Sequence, residues 1–168
     1  FGKGRRLGSS LPRGVDAVIG GWSLAGIYSY TSGLPLAFTT SNNTNSFGGS
    51  QLPNIANGPA LANPNQSRFA WFNTAVVSQP AAFTFGNAPR YEGYVRAQAT
   101  NQLDMGATKA FTLPWESVKL SFRADAYNAF NHNVFAAPAT NYSLTTFGQV
   151  TSSRSTPRNI QLALRLTF

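Results

Sequence analysis

No cysteine occurs in the 168 residues, which excludes a disulfide framework, a thiolate metal site and a cysteine nucleophile. Acid and base groups are nearly as scarce: one imidazole, His132, and five carboxylates, Asp16, Glu92, Asp104, Glu116 and Asp125. Hydrolases and metalloenzymes need such groups in clusters, so the composition points away from an enzyme, a bound metal or a cofactor. A Ser-His-Asp grouping drawn from Asp125 and His132 has no G-x-S-x-G elbow to support it. Charged residues make up 11% of the chain, against roughly 25% in soluble domains. No apolar run approaches the ~18 residues of a membrane helix, and no signal-peptide core follows Phe1-Gly2-Lys3-Gly4-Arg5-Arg6. The absence of a starting Met predicts that the beginning has been removed or was not included.

What is present is glycine (15), proline (10) and 13% aromatics, the makings of β structure with many turns. The net charge of +8 raises nucleic-acid binding, but the basic residues are dispersed and no recognition motif accompanies them. Between Thr31 and Pro89 the only charged side chain is Arg68. A solvated surface rarely leaves so long a segment uncharged.

Period-2 alternation is clearest at the end of the chain. Ile160, Leu162, Leu164, Leu166 and Phe168 share one face; Asn159, Gln161, Ala163, Arg165 and Thr167 share the other. At ~3.4 Å per residue and a tilt of about 45°, Arg158–Phe168 covers roughly 26 Å, close to the ~25 Å apolar band of an outer-membrane barrel. Val118–Tyr127 alternates in the same sense, with Lys119, Ser121, Arg123, Asp125 and Tyr127 on its polar face, and has no coherent helical stripe. Leu103–Leu113 alternates more weakly, and Lys109 falls on its apolar face, where snorkelling near a membrane boundary would accommodate it. Pro114-Trp115-Glu116-Ser117 predicts a tight turn joining these two strands. Gly21–Tyr30 makes a fourth strand, extending past Gly33 toward Thr40.

The expected architecture is all-β: an antiparallel transmembrane β-barrel fragment of about four long strands, near 20–40, 102–113, 118–130 and 158–168. Long extracellular loops fall near 41–100 and 131–156, opposite short periplasmic turns, and this puts the C-terminus on the periplasmic side. A soluble β-sandwich binding module uses the same alternation. Strand length, aromatics near strand ends (Trp22, Tyr30, Trp115, Phe130, Phe168) and unequal connections favour the barrel.

The terminal Ile160-x-Leu162-x-Leu164-x-Leu166-x-Phe168 resembles the β-signal read by the barrel assembly machinery. An ordered series runs over nearly the whole chain: Gly20–Ile27, Ser32–Leu36, Trp71-Phe72-Asn73, Phe85-Gly86-Asn87, Phe122–His132, Phe147–Val150 and Pro157–Leu164. It is similar to the end of the barrel of Oar-like TonB-dependent receptors. The resemblance implies a large barrel closed by an N-terminal plug and coupled to TonB through that plug, with this chain as the C-terminal slice over residues 1–168. It implies outer-membrane lipid, the assembly machinery, the preceding strands and plug, and indirectly TonB as partners, with no nucleic acid. The function implied is energy-coupled uptake of a large glycan, peptide or siderophore-like ligand; a structural or adhesive barrel is the alternative.

Within that reading Lys119, Arg123, Asp125, Gln161 and Arg165 form a polar, lumen-facing wall. The low-charge 41–100 segment holds Phe69, Trp71, Phe72, Tyr91 and Tyr94 as candidate ligand contacts, along with Phe47, Phe83 and Phe85. Aromatics packed upon one another inside the loop are the plainer expectation. A neutral surface bearing aromatics and amides suits glycans or neutral peptides better than anionic complexes.

Overall fold

The computed structural model describes residues 12–42, 49–112 and 118–168. Lys3, Arg5 and Arg6, Phe47, and the expected Pro114–Ser117 turn with Trp115 lie outside them. Ten strands occur among the described residues: β1 Trp22–Thr31, β2 Pro35–Leu36, β3 Asn54–Ile55, β4 Ala62–Ser67, β5 Ala70–Phe72, β6 Val77–Ser78, β7 Glu92–Arg96, β8 Thr100–Thr112, β9 Lys119–Tyr127 and β10 Asn159–Thr167. A short helix, α1 (Arg13–Ile19), precedes them, and 3-10 turns lie at Pro59–Leu61 and Thr74–Val76.

The chain divides into two compact units. The first comprises Phe1–Ser29, Asn101–His132 and Pro157–Phe168; the second comprises Tyr30–Thr100 and Asn133–Thr156. The first is built on a four-stranded sheet in the order β1-β8-β9-β10. Gly21 lies beside the Ala110 carbonyl and Gly26 beside that of Asp104, so β1 and β8 run in opposite directions. β8 pairs antiparallel with β9 from Met105↔Ala126 to Thr112↔Lys119, and β10 pairs antiparallel with β9 from Asn159↔Tyr127 to Thr167↔Lys119.

These registers sort the side chains into two faces. Rows such as Ala107, Ala124 and Leu162, or Phe111, Leu120 and Leu166, line one side. Gly106, Asp125 and Gln161, or Thr108, Arg123 and Ala163, line the other. Among the described residues nothing packs over most of the apolar side: Leu24, Ile160, Leu164 and Leu166 are exposed, and Leu162 is 68% exposed. The sheet is open, with β1 and β10 outermost.

Three features differ from expectation, two of them strand limits. The predicted 20–40 strand is two pieces, β1 and β2. The predicted 118–130 strand stops at Tyr127, because Asn128 (φ 51°) and Asn131 (φ 54°) take the left-handed conformation, which asparagine tolerates better than most residues. Asn128 is the hub of this corner. Its N–H donates to Asp104 Oδ1 (2.8 Å), its Nδ2 donates to the His132 carbonyl (3.0 Å) and its Oδ1 accepts from the His132 N–H (2.9 Å). Asn131 Oδ1 accepts from the Arg158 N–H (3.0 Å), tying the corner to the approach to β10.

The third difference concerns the segments expected as long loops. Residues 41–100 and 131–156 supply most of a folded unit with its own core. Its three small sheets, β2-β7, β3-β6 and β4-β5, enclose Leu36, Phe38, Ile55, Leu61, Phe72, Val77, Val95 and Val150. Phe38, Phe72 and Phe147 meet edge to face at centroid distances of 5.0–6.2 Å, and Tyr142 adds a fourth ring 5.3 Å from Phe147. Such ring pairs add to the gain from apolar burial.

The motifs of the resemblance explain how so short a unit closes. Asn87 imitates a strand partner, accepting from the Ile55 N–H (2.7 Å) and donating to its carbonyl (3.2 Å). A Cβ on Gly86 would lie 2.1 Å from the Leu52 carbonyl oxygen, so only glycine fits. Gly148 sits at φ +80°, with Thr74 Cγ2 only 2.6 Å from where its Cβ would be. Asn73 caps the turn at Thr74–Val76, its Oδ1 accepting from the Ala75 N–H (3.1 Å) and its Nδ2 donating to the Ala60 carbonyl (3.1 Å).

Candidate functional site

Two concavities take in four of the residues singled out in the sequence, Arg123 and Asp125 in one and Trp71 and Tyr94 in the other. In the first unit, a groove of about 400 Å³ runs over the polar face of the sheet, lined in part by Ser23, Asp104, Thr108, Arg123, Asp125 and Tyr127. Arg123 Nε donates to Asp125 Oδ2 at 2.7 Å, the i, i+2 pair anticipated along β9. Asp104 Oδ1 accepts from Gln102 Nε2 (3.1 Å) as well as from the Asn128 N–H. Register sets Gln161 opposite Asp125, Arg165 opposite Ser121 and Lys119 opposite Thr167, so all five predicted polar residues share one face. Both signs are present and the carboxylates of Asp104 and Asp125 are engaged, so this face is a hydrophilic wall.

A family model, an outer membrane β-barrel domain, matches residues 1–161. The chain belongs to the outer membrane β-barrel domain family. No curated protein and no solved structure matches it. Alternation of an apolar and a polar face along every strand is what such a domain requires, because lipid meets one face and the lumen the other. No helix among the described residues is long and apolar enough to cross a membrane, which a strand-spanning domain does not need.

The second unit of this outer membrane β-barrel domain carries a groove of about 370 Å³. Its lining includes Asn63 and Gln66 from β4, Trp71 from β5, Tyr94 and Arg96 from β7, and Gln98. Trp71, 6% exposed, donates its Nε1–H to the Arg96 carbonyl at 2.9 Å, joining the two strands. Tyr94 is 61% exposed. Asn63 Nδ2 donates to the Ala70 carbonyl (2.8 Å) and Gln66 Nε2 to that of Trp71 (3.1 Å). Gln98 Oε1 accepts from the Phe135 N–H (2.6 Å), and Arg96 Nη1 donates to the Gly33 carbonyl (3.0 Å). The walls are therefore fixed before any ligand arrives. Arg96 is the single charged side chain among the described lining residues.

The five candidate loop aromatics divide. Phe72 belongs to the core and Trp71 is largely buried, so neither offers an open face; the ring cluster and the Nε1 hydrogen bond draw them inward. Tyr94 faces the groove, while Phe69 and Tyr91 are exposed elsewhere, stacked with the neighbouring guanidinium groups of Arg68 (4.9 Å) and Arg90 (5.7 Å). Asn63, Gln66 and Gln98 were not anticipated. Carboxamides spread over 36 positions of an Asn-rich chain carry no spacing signal. Among the described residues no group of three or more His, Cys, Asp or Glu side chains comes together.

Proposed function

We propose that this chain is the C-terminal barrel segment of an Oar-like TonB-dependent outer-membrane receptor, taking up a ligand too large for porins. The second unit captures the ligand outside the cell, and the plug, moved through TonB, then admits it. The observation that supports this most is that the long connections carry a rigid, low-charge groove with Tyr94 at its wall. Fixed carboxamides and an exposed ring suit a neutral polyhydroxylated or peptide ligand. In this reading β10 ends in the periplasm, and Ile160, Leu162, Leu164, Leu166 and Phe168 are the signal presented to the assembly machinery.

The test is accumulation of fluorescent neutral oligosaccharides or peptides by cells carrying the full-length receptor, with and without TonB. Accumulation that disappears without TonB and falls on Tyr94→Ala supports capture and uptake. Cell adhesion that depends on the receptor, with accumulation indifferent to TonB, would instead make the barrel a structural or adhesive one. Deletion of Phe168 is expected to lower the amount of assembled barrel, read as the heat-modifiable band; unchanged assembly would remove the β-signal claim.

A further inference from the structure

Lys109 breaks the apolar face of the sheet, lying in the row Lys109, Phe122, Leu164. Snorkelling to water would leave it exposed, yet it is only 4% exposed. Its ammonium group donates to the Val18 carbonyl at 2.7 Å, and the same oxygen accepts from Trp22 Nε1 at 3.0 Å. The ammonium also lies 5.3 Å from the Trp22 ring centre and 5.2 Å from that of Phe111. Val18 is in the last turn of α1, where carbonyls lack intrahelical donors and carry partial negative charge. Unlike a snorkelling cation, Lys109 is spent holding a helix across the apolar face.

The position along the strand is informative. Lys109 lies three places before Thr112, the end of β8, on the side of the short 113–117 link. That is roughly 10 Å along the strand, or roughly 7 Å along the membrane normal at a tilt of about 45°. Helices that lie in a membrane interface are buried about 5–10 Å into the boundary between headgroups and acyl chains. On α1, Val15 and Ile19 are exposed and Val18 is 68% exposed, although the Val18 carbonyl is held by Lys109 and Trp22 at the apolar face of the sheet.

We propose that α1 is an interfacial helix on the lipid side of the barrel. It lies in the leaflet at the short-link end, with Val15, Val18 and Ile19 in the headgroup and acyl boundary. Lys109 is its anchor on the strand. The occupant of this surface is lipid, because the exposed helix face continues the apolar face of the sheet at the same edge. A lysine facing hydrocarbon is most costly near the midplane and less so near the interface. The carbonyl and the two rings offset that cost here and make the cation useful.

The experiment uses the full-length receptor in phosphatidylethanolamine and phosphatidylglycerol vesicles, with a nitroxide on Val18→Cys. Power saturation compares collisions with oxygen and with a water-soluble nickel chelate; Leu164→Cys is the lipid reference and Phe83→Cys the aqueous one. The label on Val18 is expected to favour oxygen, as at Leu164. Nickel accessibility equal to that at Phe83 would overturn the proposal, whatever the receptor transports. Lys109→Met keeps the face apolar and is expected to shift the Val18 label toward nickel. A label that does not move would show that Lys109 is not the anchor, while the Val18 measurement in the Lys109 protein decides the location of the helix by itself.

Discussion

The two units of this chain place their apolar side chains in opposite directions. In the sheet unit, Leu24, Ile160, Leu162, Leu164 and Leu166 point outward, and the hydrophobic cluster contains no residue from this unit. In the second unit Phe38, Leu61 and Phe72 are fully buried among rings and small strands. The first needs lipid to complete it, because an open apolar sheet face in water is an aggregation surface. The second carries its own interior and is organised like a small soluble domain. One composition serves both: low charge means a lipid-facing surface in one unit and a packed core in the other.

This contrast can be broken by substitution. The largest effect is expected from Phe72→Ala, which removes the ring at the centre of the cluster and costs about 3–5 kcal/mol of local stability. Hydrogen exchange is expected to rise across the second unit with β10 unchanged; equal loss of protection in β10 would mean the units share one interior. Next, Leu61→Ala is expected to cost about 2–5 kcal/mol, whereas Leu162→Ala costs about 2 kcal/mol or less, since acyl chains fill the space that fixed neighbours cannot. Equal costs in urea titrations of the vesicle-bound protein would deny that Leu162 faces lipid. Leu162→Arg is expected to destabilise by about 2–4 kcal/mol in the same titration, against almost nothing for Gln161→Arg one position away on the polar face. A more modest loss is expected from Gly148→Ala, about 1–3 kcal/mol from the positive φ and the crowding by Thr74, visible as faster exchange in the second unit alone.

How much of this was legible in the sequence follows from the same division. The sheet was readable because a strand between lipid and an aqueous lumen must alternate over its full length, so β9 and β10 announce themselves with Arg123, Asp125, Gln161 and Arg165 on one side. The second unit was not readable as a fold. Strands of two or three residues, such as Asn54–Ile55 and Ala70–Phe72, are too short to show a period. Its closure relies on Asn73, Asn87 and Gly148, whose roles depend on distant backbone. Packing of loop aromatics upon one another was the plainer expectation, but nothing local separates Trp71 and Phe72, which are buried, from Phe69, Tyr91 and Tyr94, which are exposed. Lys109 was seen as anomalous, but its partner is a carbonyl 91 positions away, and backbone carbonyls leave no trace in sequence. The groove residues Asn63, Gln66 and Gln98 share that difficulty.

The second unit is discontinuous in the chain, and so is its ring cluster. Phe38 and Phe72 precede the β8–β9 hairpin, whereas Phe147 and Val150 follow it. The cluster therefore joins stretches of chain that residues 101–132 separate. Bringing Phe147 onto Phe72 carries the loop-closure entropy of all the chain between them, a cost that grows only slowly with length and that burial of the stacked rings offsets.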